Sequence, residues 1–270
     1  MLFPVPNFSK SWTTCSDSSD ALPLDDETLV VSTDKKDLPH NYGTFEGKNT
    51  MKAVFPKGSY IPSKDPPGGL SFYASGPEEV DLATAKEATF GYSVFFPDDF
   101  EYVKGGKLPG LYGGDDAENS KSCSGGRRDT SCFSIRLMWR EEGAGELYTY
   151  LPDVDANKKQ CDVPPESHCN PTYGTSVGRG AFTFEKGKWT TVSQRVKLND
   201  AGEANGEMEL FVGGDSVIKV TGLEIRDKDE GRIRGIIMQT FFGGSTPDYA
   251  SLKDQSIYFG DFSMAITEEL

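Results

Sequence analysis

The even scatter of turn residues along the chain is the feature that most constrains its fold. Thirty glycines and 16 prolines are distributed over all 270 residues and do not gather into a linker. They separate short runs in which apolar and polar side chains alternate, which is the pattern of strands that bury one face. The spacing predicts an all-β protein of two packed antiparallel sheets. We expect a single domain over residues 1–270, with residues 1–50 as an irregular N-terminal wrap.

Eight segments carry the strand pattern clearly. They are residues 88–96, 132–140, 147–151, 189–198, 207–212, 217–220, 235–242 and 257–265. Gly213-Gly214 between two of them predicts a hairpin, because a two-residue turn requires positive φ angles that glycine adopts freely. No long helix is predicted.

The net charge excludes one large class of partners. The chain carries 28 Lys and Arg against 42 Asp and Glu, a formal charge of −14. Such a protein repels a phosphate backbone, so nucleic-acid binding is not expected.

The hydrophobic residues exclude two further classes of chain. No apolar run approaches the roughly 18 residues that indicate a membrane span. The 17 Phe, 11 Tyr and 3 Trp are too much aromatic surface for a disordered chain.

Five cysteines indicate the compartment. Cys123 and Cys132 lie nine residues apart, and Cys161 and Cys169 lie eight apart, so each pair is expected to close a small loop as a disulfide. Cys15 is then unpaired. A zinc site is not expected, because there is no CxxC motif and the chain has only two histidines. Disulfides form in oxidising surroundings, so the cysteines predict a secreted protein.

Two features at the N-terminus agree with secretion. Asn7-Phe8-Ser9 is a glycosylation sequon, although such triplets also occur by chance. The first residues lack the basic and long apolar regions of a leader peptide. We expect a mature extracellular chain that acts as a monomer.

The segment 104–140 has a different charge from the whole chain. It holds seven basic and four acidic residues, an excess of three positive charges in a protein of net charge −14. A cationic region in an anionic protein indicates an anionic ligand. Solvated loop charges are the alternative explanation for Lys121, Arg127 and Arg128.

Two strands within and just after this segment form a predicted hairpin. Residues 132–140 and 146–151 flank a turn over residues 141–145. Alternation places Ser134, Arg136 and Met138 on one face of the first strand. Tyr148 and Tyr150 share a face of the second, and an even-with-even register brings Arg136 opposite one of them. The other face supplies core residues, namely Ile135, Leu137, Trp139, Leu147, Thr149 and Leu151.

This set of side chains suits β-elimination in a 1,4-linked uronic acid polymer. The C5 proton of a uronate is only weakly acidic, so its C6 carboxylate must be neutralised before a base can remove that proton. Arg136 offers a planar cationic fork for the carboxylate, and Ser134 offers a further donor. A phenol is a poor base at its ordinary pKa of about 10, but nearby positive charge lowers the pKa of Tyr148 or Tyr150. A desolvated Lys107 is the competing base.

The same residues carry a resemblance to polysaccharide lyase family 14. The motifs are Gly106-Lys-Leu-Pro-Gly-Leu-Tyr-Gly-Gly114, Ser134-x-Arg136 and Tyr148-x-Tyr150, and the similarity covers residues 55–266, with the fungal members most similar. Members of this family act on alginate or glucuronan. The resemblance implies a β-jelly roll with a substrate cleft on its concave sheet. It also implies catalytic roles for Lys107, Ser134, Arg136, Tyr148 and Tyr150.

Four other residues are candidates for binding the polymer. Gln239, in the predicted strand 235–242, either binds sugar hydroxyls or the carboxylate, or caps a neighbouring strand. Arg195 and Lys197 alternate on another strand and either extend the cleft or form a solvated outer face. Tyr112 either stacks on a sugar ring or packs in the core.

Histidine and metal chemistry have weak support. His40 and His168 lie in proline-rich or disulfide loops, where a catalytic histidine is not expected, and His40 is the better candidate of the two. Asp115-Asp116 offers two adjacent carboxylates to a structural calcium ion. We expect no required cofactor.

Two other functions use the same type of fold. Glu79, Asp81 and Glu87 resemble the catalytic strand of glycoside hydrolase family 16, but the last acid lies too far along the chain for the short carboxylate separation of a retaining enzyme. A lectin-like glycan-binding module would show stacking aromatics without the Lys, Arg and Tyr cluster. The motifs leave open which uronate is preferred and whether cleavage is endo or exo.

Overall fold

Fifteen strands, joined by turns and loops, make up most of the part of the chain that the computed structural model describes, residues 1–32 and 38–270. The strands form two sheets in which neighbours run antiparallel. Helical segments are short. The helix α1 (Asp26–Leu29) is one turn long and begins after Asp25, whose side chain accepts a hydrogen bond from the Thr28 backbone N–H. The predicted all-β architecture is confirmed.

One sheet has eight strands. Its order is β13 (Asp215–Leu223), β12 (Gly206–Val212), β11 (Trp189–Lys197), β6 (Ala85–Phe95), β15 (Gln255–Glu269), β4 (Lys48–Phe55) and β3 (Asn41–Phe45), and β1 (Lys10–Thr13) also pairs with β15.

The other sheet has seven strands and carries the predicted hairpin near its centre. Its order is β10 (Thr175–Thr183), β9 (Ala144–Tyr150), β8 (Cys132–Arg140), β7 (Gly105–Gly114), β14 (Arg232–Phe242), β5 (Leu70–Ala74) and β2 (Val31–Ser32).

The hydrophobic core fills the space between the two sheets. Ile135, Leu137 and Trp139 on β8 point into it and are at most 1% exposed. The residues between them, such as Arg136, lie on the outer face of the seven-stranded sheet. The alternation predicted for this strand is therefore confirmed. A slip of one residue would exchange the two faces and place a guanidinium in the core.

The strand predictions succeed where alternation is strong. The segments 132–140 and 207–212 match β8 and β12 to within one residue, and the Gly213-Gly214 hairpin is confirmed, with φ angles of 63° and 110°. The sequence does not predict β7, because five of its ten residues are glycine and Pro109 interrupts it. Proline cannot donate to a sheet, and here it lies at a register shift between Leu108 and Gly110.

The N-terminal segment differs from its prediction. The sequence predicts an irregular wrap over residues 1–50, whereas β1 pairs with β15, and β3 pairs with β4 at the edge of the eight-stranded sheet. The strand β3 is short and mostly exposed. It therefore has no buried face whose alternation a sequence could reveal.

Both predicted disulfides are present. Cys123 and Cys132 have their Cα atoms 5.6 Å apart, and Cys161 and Cys169 have theirs 5.3 Å apart. Cys15 is free, as expected. Within the described residues, no helix has the length and apolar character needed to cross a bilayer.

Candidate active site

A cleft of about 1330 Å³ crosses the outer face of the seven-stranded sheet. Among the described residues, Glu118 is the one carboxylate in its lining. The basic side chains that line it are Lys107, Lys121, Arg127, Arg136, Arg140 and Arg179. This concentration of positive charge in a protein of net charge −14 favours an anionic ligand, as the segment 104–140 predicts.

Three neighbouring strands bring the predicted residues together. Arg136 on β8 lies opposite Gly110 on β7 and Tyr148 on β9. Lys107 lies further along the same face, opposite Met138. Directly opposite residues of an antiparallel pair have their Cβ atoms about 5 Å apart. The even-with-even register is therefore present, and it places Arg136 beside Tyr148.

Two glycines of β7 allow this strand to approach its neighbours closely. A Cβ atom on Gly110 would lie 2.0 Å from the Ile135 carbonyl oxygen, and one on Gly106 would lie 2.1 Å from the Trp139 ring. Any larger residue would push β7 away from β8 and displace Lys107 from the site. The glycine-rich motif thus serves the geometry of the cleft.

Arg136 lies at the base of the cleft and is 2% exposed. Its Nη2 donates to the Gln239 carbonyl oxygen at 3.1 Å, and its Nη1 donates to Gln239 Oε1 at 3.5 Å. The buried Nε has no hydrogen-bond partner among the described residues, and no carboxylate in that part of the chain pairs with the guanidinium. Burial lowers the pKa of Arg136, although arginine stays charged in proteins. A desolvated cation therefore faces the cleft.

Lys107 extends over the ring of Tyr148. Its Nζ is 3.3 Å from the ring centroid and donates to Met138 Sδ at 2.7 Å. Desolvation lowers the pKa of Lys107 well below its ordinary value, and the positive charges of Arg136 and Arg140 lower it further. A lysine in these surroundings gives up its proton readily and can act as a base.

Tyr148 departs from the electrostatic expectation. Its ring lies edge-on to that of Tyr150, with centroids 5.7 Å apart. Burial raises the pKa of Tyr148. The neighbouring Tyr150 raises it further, whereas the positive charge of Arg140 lowers it. The sequence suggests that positive neighbours lower this pKa, but burial outweighs them. Tyr148 stays protonated at neutral pH, which suits a proton donor.

Comparison with known proteins identifies the family of this chain. The family model for polysaccharide lyase 14 matches residues 44–262. The chain belongs to polysaccharide lyase family 14. Comparison with curated protein sequences gave no match.

Solved structures agree with the family 14 assignment. A marine family 14 alginate lyase from Aplysia kurodai is 32% identical, with a TM-score of 0.81 over 96% of this chain and 99% of that one. An alginate lyase from Chlorella virus is 27% identical, with a TM-score of 0.72 over 89% and 93%. The endo-β-1,4-glucuronan lyase of the fungus Trichoderma reesei is 10% identical, with a TM-score of 0.52 over 88% and 91%, and is similar in fold alone. The β-jelly roll is confirmed, but the expected special similarity to fungal members is not supported.

Ser134 and Tyr112 of this lyase lie beneath the surface of the cleft. The Ser134 Oγ donates to the Cys123 carbonyl oxygen at 2.7 Å, and the residue is 1% exposed. Tyr112 is 5% exposed and packs edge-on against Tyr73, with ring centroids 4.7 Å apart. Packing is therefore the observed role of Tyr112. Ser134 therefore hydrogen-bonds to the disulfide loop Cys123–Cys132, which lines one side of the cleft.

Replacing Ser134 by alanine is expected to act through that loop. Loss of one buried hydrogen bond should lower the free energy of unfolding by about 1 kcal/mol and kcat/KM by about tenfold or less. Thermal unfolding and initial rates on alginate measure the two effects. Ser131→Ala, in the same loop, is the matched control. A loss of kcat comparable to that of an Arg136 variant, with stability unchanged, would instead show that Ser134 contacts the substrate.

Arg195 and Lys197 do not extend the cleft, so that alternative was wrong. Both lie on β11 of the eight-stranded sheet. Arg195 is ion-paired with Glu87, Glu207 and Glu209. The side chains of β11 that point away from the core emerge on the opposite side of the sandwich from the cleft. Alternation along one strand could not reveal to which sheet the strand belongs.

The carboxylates of the glycoside hydrolase alternative also lie outside the cleft. Glu79 is part of the turn Glu78–Val80, and Asp81 caps the turn Leu82–Thr84. Glu87 pairs with Arg195 on the eight-stranded sheet. None of the three acids lines the cleft, so they do not form the carboxylate pair of a retaining hydrolase there.

The two histidines lie in different places relative to the cleft. His168 lies at the cleft, where its backbone pairs with that of Ser176. His40 lies outside the cleft lining, with its Nδ1 2.7 Å from Asp26 Oδ1 and its ring against Phe72. Of the two histidines, His168 and not His40 therefore lies where it can meet a ligand in the cleft.

The acidic pair suggested for calcium has protein partners. Asp115 is ion-paired with Lys228, and Asp116 accepts hydrogen bonds from the backbone N–H groups of Glu118 and Asn119. In residues 1–32 and 38–270 no group of three His, Cys, Asp or Glu side chains has the arrangement of a metal site.

Sequence reasoning missed three residues around the cleft. Arg140 and Arg179 line it, and the buried Glu146 holds both of them. Arg140 continues the alternation of Arg136 and Met138, so the sequence could have predicted that it faces the cleft. Arg179 lies within the register shift between Val177 and Phe182 of β10, which alternation cannot anticipate.

Proposed function

We propose that this family 14 lyase cleaves a polyuronate, with alginate as the preferred substrate, by β-elimination in the cleft. The observation that carries the proposal is the meeting of Lys107, Arg136 and Tyr148 on adjacent strands of a cationic cleft. The relatives that match at 32% and 27% identity are both alginate lyases. This favours alginate over glucuronan.

Arg136 prepares the reacting uronate. Its guanidinium is buried at the base of the cleft without a protein carboxylate among the described residues. Binding the C6 carboxylate there neutralises its charge and makes the neighbouring C5 proton more acidic. Gln239 accepts hydrogen bonds from both terminal nitrogens of Arg136 and so orients the fork.

Lys107 and Tyr148 then move the protons. The neutral amine of Lys107 takes the C5 proton, and the electron pair of the broken C–H bond forms the C4=C5 double bond. The C4–O4 bond breaks, and Tyr148 gives its phenolic proton to the departing oxygen. Tyr150, edge-on to Tyr148, fixes the position of that ring. The products are an unsaturated uronate end and a new hydroxyl end. The proton gained by Lys107 balances the one lost by Tyr148, and its return to the phenolate restores the enzyme, so no further reactant is consumed.

The two disulfides support a secreted enzyme. We propose that it acts outside the cell as a monomer and requires no cofactor. Size-exclusion chromatography with light scattering, and activity after dialysis against a chelator, test these two points. A dimer mass or a loss of activity restored by calcium would contradict them.

A substrate panel tests the proposed function. Polymannuronate, polyguluronate and glucuronan are incubated with the enzyme, and both ultraviolet absorbance of the unsaturated product and new reducing ends are measured. We expect the two signals to rise together, faster on the alginate polymers than on glucuronan. Reducing ends without absorbance would indicate a hydrolase, and polymer binding without either signal would indicate a lectin-like module.

A further inference from the structure

Glu146 is a carboxylate without exposed surface beneath the cleft. Its Oε1 accepts a hydrogen bond from Arg140 Nε at 2.8 Å, and its Oε2 accepts from Arg179 Nε at 2.9 Å and from Ser176 Oγ at 2.5 Å. Burial raises the pKa of Glu146, but the two arginines and the hydrogen bonds outweigh it and hold the pKa below its ordinary value. An ionised carboxylate therefore fixes two guanidinium groups from different strands.

Both guanidinium groups reach the surface of the cleft. The side chain of Arg140 is 15% exposed and that of Arg179 is 30% exposed, and both line the cleft. Arg140 contacts Glu146 through its Nε and Nη2. Within the described ranges, Arg179 Nη1 has only a long contact of 3.6 Å with Glu166, whose side chain is 63% exposed. The pair therefore presents N–H donors to a ligand in the cleft.

The charge ratio of this group differs from that of the other buried network in the fold. On the eight-stranded sheet, Arg195 is shared by three carboxylates, Glu87, Glu207 and Glu209. In the cleft, two arginines share the single buried carboxylate of Glu146. The positive charge that Glu146 leaves unbalanced lies at the cleft, where the two partly exposed arginines can meet an anionic ligand.

The group also lies at a different place along the cleft from Arg136. Arg140 follows Arg136 by four residues on the same face of β8, a backbone distance of about 13 Å. The Arg140 Cζ is 5.7 Å from the centroid of the Tyr148 ring, over which Lys107 also lies. The arginine pair is therefore next to the proton-transferring residues but separate from the position that binds the reacting carboxylate.

We propose that Arg140 and Arg179, held in place by Glu146, bind the carboxylate of a second uronate unit, a neighbour of the unit that is cleaved. Glu146 is then a positioning residue for this second carboxylate site. The inference rests on the proposed function. The enzyme would then bind the carboxylates of at least two uronate units along the polymer.

Arg179→Ala tests the inference on two substrates, native alginate and alginate in which part of the carboxyl groups has been reduced to neutral alcohols. On native alginate we expect KM to rise about tenfold with kcat nearly unchanged, because a charge-assisted contact to the bound polymer is lost. Carboxyl reduction should raise KM for the wild type and much less for Arg179→Ala, since the two changes remove the same contact. Arg232→Ala, a half-buried arginine of β14 outside the cleft, is the matched control.

Glu146→Gln provides the second variant. It should raise KM in the same direction, because the two guanidinium groups lose their common anchor, and its fold is checked by thermal unfolding. Equal KM values for wild type and Arg179→Ala on both polymers would overturn the second carboxylate site while the wild type remains an active lyase. A wild type that gives no unsaturated product on any polyuronate would overturn the proposed function instead.

Discussion

Replacing Arg136 by methionine is expected to lower kcat/KM on alginate about 10³-fold, because the donor that neutralises the developing charge is removed from a desolvated site. The melting temperature should stay at or above that of the wild type. Arg136 is 2% exposed and its guanidinium has no protein carboxylate among the described residues. Methionine, of similar length, removes this desolvated charge. Initial rates and thermal unfolding measure the two quantities.

The conservative variant Arg136→Lys separates charge from geometry. A lysine retains the positive charge but not the planar fork, so we expect activity between those of Arg136→Met and the wild type. Arg232→Met, on the same sheet but outside the cleft, should change neither rate nor stability by much. Near wild-type turnover in Arg136→Met would contradict the assigned role of Arg136.

Replacing Lys107 by methionine should lower kcat about 10³-fold and raise stability at neutral pH, because a general base is lost and a buried amine is removed. Lysine has a pKa of about 10.4 in an unfolded chain, and burial with the charges of Arg136 and Arg140 lowers it in the folded protein. The unfolded chain thus binds more protons than the folded one between these two pKa values. The cost to folding is full below the folded-state pKa and disappears as the pH rises to the unfolded one.

The pH profile of the wild type tests the same residue. Activity should rise with pH through the lowered pKa of Lys107, because only the neutral amine accepts the C5 proton. Lys107→Arg should remain inactive across that range, since arginine is not deprotonated. Lys104→Met, at the nearby exposed ion pair with Asp248, is the control and should keep both the rate and the profile. A Lys107→Met variant that retains activity, or is destabilised at neutral pH, would rule out Lys107 as the desolvated base.

The central part of the site could be predicted because it depends on local alternation. Arg136 and Tyr148 share a face through period-two geometry, and the short turn between β8 and β9 makes these strands neighbours. The core residues Ile135 and Leu137 follow from the same rule. Lys107 could be named as a competing base from its chemistry, but its position on a strand of the cleft was not predicted, because the glycines and the proline of β7 hide that strand.

The remaining parts of the site depend on contacts between distant segments. Gln239 meets Arg136 across more than a hundred residues of chain, and the Glu146 anchor joins β8, β9 and β10. Ser134 was expected at the substrate, yet it bonds to the Cys123 carbonyl of the disulfide loop. The residue spacing within β8 does not indicate that the disulfide loop will cover Ser134.

Alternation, turn residues, cysteine spacing and the sign of the charge in segment 104–140 were enough to determine an all-β sandwich, two disulfides and an anionic ligand. These properties depend on short stretches of chain, where backbone geometry dictates which side chains share a face. Tertiary structure alone decided which face is the cleft, and it placed Arg195 on the opposite side. It also decided which group holds the proton, since burial lowers the pKa of Lys107 and raises that of Tyr148. Desolvation depends on everything packed around an atom, and that packing exists only after distant strands have met.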